Sequence, residues 1–140
     1  MTQQRPFTDV FARLKSLGIR PTRQRLALAK LLFNGGDRHV TAETLHGEAK
    51  TTKVRVSLAT VYNTLHQFTA AGLLREVVVE AGRSYFDTNA SDHHHFFFEE
   101  SGILQDFSGD SVSLHGMPEP PTGTEISRVD VVVRVRSEND

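Results

Sequence analysis

A chain of 140 residues with 38% hydrophobic side chains can form one domain or two small ones, and a lobe of about fifty residues would lean on a partner or a ligand. It has no cysteine, which excludes disulfides and any thiolate zinc site, a four-cysteine structural zinc included; no apolar run reads as a signal peptide or a membrane span, so the expected location is the cytoplasm. The net charge of −1 hides an asymmetry: residues 1–88 carry 13 Lys and Arg against 7 Asp and Glu, and residues 89–140 carry 3 against 10, which points to a nucleic-acid-binding lobe joined to a lobe with another task.

Thr8 is placed to cap a first helix with Phe7, Phe11, Leu14 and Leu17 at roughly helical spacing, ended by Gly18. Pro21-Thr22 opens a second helix, apolar nearly all round from Leu26 to Phe33 and stopped by Gly35-Gly36. Thr41 caps a short third helix with Ala42, Leu45 and Ala49 inward, and a basic connection runs from Lys50 to Arg55. Ser57 caps a fourth helix that ends at Gly72, with Leu58, Val61, Leu65 and Phe68 as its buried stripe. Opposite that stripe lie Ala59, Thr60, Asn63 and Gln67, small or amide side chains with no acid among them. Such a neutral face suits close approach to base edges, where amides and methyls read sequence. Tyr62 falls beside the apolar stripe, so helical geometry alone favours a core tyrosine.

A strand follows from Glu76 to Val79, then a turn at Ala81-Gly82 and a return from Arg83 to Phe86. Helices followed by such a hairpin make a winged helix-turn-helix. Arg83 sits at the wing tip, where a phosphate contact and a plain surface arginine are about equally expected. Thr88 to Asp92 reads as a hinge between a domain of residues 1–88 and one of residues 89–140.

Beyond the hinge, three consecutive histidines open an aromatic run of strand formers. Alternation puts His93, His95 and Phe97 on one face and His94, Phe96 and Phe98 on the other. Glu100-Ser101-Gly102 is a turn signal, so the chain folds back and brings Asp106 near His95, with Asp87 a short loop upstream. Two imidazoles and two carboxylates of this kind can hold a metal ion, and an imidazole can occupy an axial position of a haem. His115 to Thr124 reads as a proline-rich ordered loop. From Ile126 to Val135 a half-buried strand puts Val129, Val131, Val133 and Val135 on one face. Three strands cannot cover that face alone, so a symmetric dimer through residues 93–140 is expected. The expected fold class is α+β: an N-terminal winged helix followed by a small, mostly stranded dimerisation domain.

The run Pro21-Thr22-Arg23-Gln24-Arg25, then His39-Val40-Thr41-Ala42-Glu43, then Ser57 to Leu65, then the histidine cluster, resembles the ferric uptake regulator family over nearly the whole chain. Within it, Asp92 to Phe97, Pro118-Glu119-Pro120-Pro121 and Arg128 to Arg134 look most like the iron response regulator branch. Members of that branch are bacterial repressors, sometimes activators, that bind haem and lose function when haem is plentiful. The resemblance implies a dimeric repressor on operator DNA, controlled by haem through His93, His94 and His95. It implies a regulatory metal site at His39, Asp87, His93, His95 and Asp106, taking Fe²⁺ or Mn²⁺, with Zn²⁺ able to enter in vitro. His39 would join the DNA-binding half to the other four ligands. It also makes Tyr62 a thymine contact, puts Ser57 and Thr60 near phosphate or bases, sends Lys15 to the minor groove, and counts Arg23 with the DNA contacts.

Several positions depart from the family's pattern. Phe96 and Ser113 stand where a second site, at His94, would need carboxylates. Asn63 replaces a common arginine, and the helix expected after Asp106 gives way to the proline loop. Two other readings compete: a repressor of the same family that Fe²⁺ or Mn²⁺ activates or that senses peroxide, and a metal-dependent hydrolase using the histidines and a bound water. No nucleophile elbow or phosphate-cradling glycine loop supports the enzyme.

Overall fold

A computed structural model describes residues 7–80, 83–91 and 93–138, and divides the chain into two compact units, Met1–Ala90 and Ser91–Asp140.

The first unit contains α1 (Phe7–Ser16), α2 (Arg23–Phe33), β1 (His39–Val40), α3 (Ala42–Thr51), α4 (Leu58–Ala70), β2 (Arg75–Glu80) and β3 (Arg83–Asp87). Three helices start on hydroxyl caps: Thr22 accepts from Arg25 N–H, Thr41 from Thr44 N–H and Ser57 from Thr60 N–H. Each cap satisfies one of the donors that a helix start leaves orphaned. Gly72 follows α4 with φ +85°, a left-handed turn that glycine adopts without strain. Leu14, Leu28, Leu32, Leu45, Leu65 and Phe68 are among the side chains that meet in one core, each at most 1% exposed.

The strands β1, β3 and β2 form an antiparallel sheet in that order. β2 and β3 are the wing; the expected turn at Ala81-Gly82 lies outside the described residues. Nothing local in the sequence announces β1. It sets His39 directly opposite Asp87.

Two expectations for α1 are corrected. Thr8 lies inside the helix rather than before it. The inward stripe is Val10 and Leu14, whereas Phe11 and Leu17 are 44% and 39% exposed. Both stripes satisfy helical spacing, and the choice between them is made by the core the helix packs on.

The second unit contains β4 (His94–Phe98), β5 (Leu104–Phe107), a single 3₁₀ turn at Gly109–Ser111, and β6 (Val132–Val135). The sheet order is β5-β4-β6, with β4 and β5 antiparallel and β4 and β6 parallel. The hairpin turns at the Glu100-Ser101-Gly102 signal, where Gly102 has φ +75°. The last strand is shorter than its alternation suggests. β6 ladders along β4 only from Val132, which pairs with His95, so Val129 and Val131 lie before the strand. Val131 is still tied to the sheet, because His95 N–H donates to its carbonyl at 3.2 Å. Val133 and Val135 pair with Phe96 and Phe98, and all four are half-buried on one face. Among the described residues of this unit, no α-helix covers that face. No helix of the described chain is long and apolar enough to cross a membrane.

Candidate metal centre and nucleic-acid interface

The β4 pleat drives two histidines inward. His93 is 7% exposed and His95 2%, while His94 is half-buried on the opposite face. β5 brings Asp106 directly across from His95. The Asp106 Oδ1 lies 3.3 Å from His95 Nε2 and 3.4 Å from His93 Nε2. The two rings stand edge to face with centroids 4.7 Å apart. His93 Nδ1 is 2.7 Å from the carbonyl oxygen of Ser91. A carbonyl only accepts, so Nδ1 carries the ring proton and Nε2 turns a lone pair toward Asp106. A lone pair facing a carboxylate oxygen calls for a cation between them, either a second proton or a metal ion.

The first unit carries a similar pair. His39 Nε2 lies 3.3 Å from Asp87 Oδ2, and Asp87 is fully buried. Its other oxygen, Oδ1, accepts from Asn89 N–H at 2.9 Å. This second bond orients the carboxylate, as outer hydrogen bonds orient metal ligands. Donor atoms bonded to one first-row ion at about 2.0–2.2 Å sit roughly 3.0–3.5 Å apart, and all three His–Asp separations fall in that range. Imidazole with carboxylate suits Fe²⁺, Mn²⁺ or Zn²⁺.

His94 differs from its neighbours. Its Nδ1 accepts from Val131 N–H at 3.3 Å, and its ring lies 5.7 Å from that of Phe107. Phe96, Phe98 and Val135 line an open cleft on this face, with Arg136 among its walls.

The helical unit presents the expected polar face on α4. Ala59, Asn63 and Gln67 are exposed and Thr60 is half-buried. Ser57 Oγ accepts from Thr60 N–H at 3.1 Å, and its own hydroxyl reaches Thr60 Oγ1 at 3.0 Å, so this pair closes the helix start. Tyr62 is not a core residue: it is 37% exposed, and its hydroxyl donates to Glu43 Oε2 at 2.8 Å. The stripe beside it is filled by Val61, Thr64 and Leu65 instead. Lys15 is exposed on α1, with Nζ 5.9 Å from the centre of the Phe11 ring. Arg23 is exposed at the start of α2. Arg83 is exposed at the start of β3, 3.3 Å from Glu80 Oε2 and 3.2 Å from the Tyr85 hydroxyl.

Two groups of residues escaped the sequence reading. Gln24 and Arg25, at the start of α2, share an open cleft with Thr60, Asn63 and Gln67 of α4. The signal was their place directly after the Thr22 cap. Glu43 and His66 flank Tyr62, and no local pattern announces that contact.

The sequence model of the Ferric uptake regulator family matches residues 16–131. The ferric uptake regulation protein of Klebsiella pneumoniae is 34% identical over 108 residues, spanning 76% of this chain and 70% of that protein. The peroxide operon regulator of Bacillus subtilis (strain 168) is 37% identical over 94 residues, 67% of this chain and 64% of that protein. Among solved structures, the ferric uptake regulator from Pseudomonas aeruginosa with manganese matches at 25% identity with a TM-score of 0.68, covering 91% of this chain and 96% of that one.

Proposed function

The chain belongs to the ferric uptake regulator family, and from this premise we propose that it is a dimeric repressor whose grip on operator DNA is set by a metal ion at His39, Asp87, His93, His95 and Asp106. The family makes it a metal-responsive, DNA-binding transcription regulator and not an enzyme, so the hydrolase reading is set aside. Residues 1–88 bind DNA, and residues 89–140 dimerise and sense. Ala59, Thr60 and Asn63 read base edges with Tyr62. Lys15, Arg23, Ser57 and Arg83 hold the duplex.

The observation that carries the proposal is the single oxygen of Asp106 facing two buried imidazoles at 3.3 and 3.4 Å. The manganese named for the Pseudomonas aeruginosa structure agrees with that donor set. An ion there would take Asp106 and the two imidazoles as ligands. Ion occupancy would in this way set the spacing of two recognition helices in the dimer. The test is a titration of Mn²⁺ against duplex affinity, using DNA selected by the protein from a random pool. Mn²⁺ tightens binding under this reading, and a flat titration removes it.

A second reading is favoured by the His94 face. His94 carries a third imidazole on the face opposite the His93–Asp106 pair, and an axial imidazole holds haem iron. Together with the resemblance to the iron response regulator branch, this supports haem as an effector that releases DNA through His93, His94 and His95. Haem and metal would compete for His93 and His95, and their effects on DNA affinity would have opposite signs. Replacing the three histidines together by Ala leaves a DNA-binding dimer that haem no longer dislodges. Haem release that persists in the triple variant places the haem site elsewhere.

A further inference from the structure

Tyr62 is held from two sides. Its hydroxyl donates to Glu43 Oε2 at 2.8 Å, across from α4 to α3. Its ring stacks on His66, one helical turn on, with centroids 6.3 Å apart and planes 19° from parallel. His66 in turn meets the buried Phe86 edge-on at 5.6 Å. Glu43, Tyr62 and His66 all line one open cleft, with Arg83 of the wing on its wall. A side chain that is 37% exposed would otherwise choose among several rotamers. Here both the ring and the hydroxyl are fixed in advance.

The hydrogen bond also decides what Tyr62 can offer. A phenol has one proton to donate, and an ionised carboxylate can only accept. The proton is therefore committed to Glu43, and the phenol oxygen presents lone pairs to anything else that approaches. In the major groove, adenine N6 and cytosine N4 are donors, while guanine O6 and N7 and thymine O4 are acceptors. We propose that Glu43 is a specificity-determining residue: by taking the hydroxyl proton of Tyr62, it turns that tyrosine into an acceptor that selects an exocyclic amino group and rejects an acceptor edge. The ring stays available for a thymine methyl in the same or the next pair. The proposal rests on the reading of Tyr62 as a base contact.

A cost follows from charge. Glu43 carries a negative charge on the face that meets phosphates, so it weakens binding to every sequence. The device exchanges affinity for discrimination, and the two effects separate by substitution. Duplex binding by the full chain with Mn²⁺ is measured on selected DNA and on each single-base-pair change of it. Glu43→Gln removes the charge and can donate to the phenol oxygen, so the hydroxyl is released. Binding to all sequences strengthens, and discrimination at the base pair read by Tyr62 falls about threefold to tenfold, the worth of one neutral hydrogen bond. Glu43→Asp keeps the charge on a shorter arm, so discrimination falls without the general gain. Tyr62→Phe loses the same discrimination, and adding Glu43→Gln to it loses no more, because the two residues act as one unit. Full base preference in Glu43→Gln, alongside a loss in Tyr62→Phe, overturns the role of Glu43. Unchanged binding by Tyr62→Ala overturns instead the base contact on which the proposal rests.

Discussion

His95 stands directly across the hairpin from Asp106, and its Nε2 lies 3.3 Å from Asp106 Oδ1. The register of two strands, rather than a flexible loop, fixes this pair. His93 joins it from two residues upstream because side chains repeat their face every second position. Removing Asp106 takes away a carboxylate oxygen that faces both imidazoles. Asp106→Asn and His95→Ala are each expected to weaken Mn²⁺ binding by at least about tenfold, since even changes outside the ligand shell cost that much. Calorimetric titration of Mn²⁺ into each variant checks this, and unchanged affinity would show that the ion binds elsewhere.

The exposed Tyr62 separates DNA recognition from folding. Tyr62→Ala is expected to cost about 1–3 kcal/mol of specific binding, the range of one lost base contact. Thermal unfolding should barely move, because the residue lies outside the core. Arg83→Ala should instead weaken all sequences alike and lower the salt slope by about 1. A variant of Tyr62 that unfolds rather than losing specificity would return it to a structural role.

The Glu43 contact has a spectroscopic signature. The Tyr62 phenol is raised above its ordinary pKa near 10.0, first by its hydrogen bond to Glu43, then by burial, then by the carboxylate charge. A raised value favours the neutral phenol in the folded state. That contribution is fully present below pH ~10 and is lost as pH climbs through the folded value. In a Tyr85→Phe background, which leaves Tyr62 as the only tyrosine, Glu43→Gln is expected to bring the titration down toward the ordinary value. A titration that does not move would show that the hydrogen bond is not formed in solution.

A second copy is proposed to seat on the face that carries Phe96, Phe98, Val133 and Val135. All four are half-buried, and no α-helix among the described residues of their unit covers them. Family members are dimers, and this face is the natural place for a second copy. Val133→Asp would bury an unpaired carboxylate there, so sedimentation should report monomers at micromolar concentration. A dimer that tolerates the substitution would put the interface on another surface.

Much of this was legible along the chain. Thr22, Thr41 and Ser57 announce helix starts because a hydroxyl before an apolar run meets a local need of the backbone. The His94–Phe107 hairpin is legible because alternation and the Gly102 turn are also local. What escaped was non-local. β1 is two residues long and exists only because β3 pairs with it, so the His39–Asp87 contact had no local signature. The alternation from Ile126 to Val135 begins earlier than the ladder, because pairing with β4 starts only at Val132. A helical wheel places Tyr62 toward the core because it cannot see that Thr64 fills the inner position, nor that Glu43 waits 19 residues away. The five proposed metal ligands follow together only from the resemblance. The hairpin itself pointed only to His93, His95 and Asp106, with Asp87 nearby.

An ion held through Asp106 is proposed to control DNA affinity. The most direct measurement is operator affinity against Mn²⁺ concentration, for the wild-type chain and Asp106→Asn side by side. Mn²⁺ is expected to tighten wild-type binding by about tenfold or more, within the usual range of coupling between sites, while Asp106→Asn stays at the metal-free level. Equal tightening of both proteins by Mn²⁺ would contradict it.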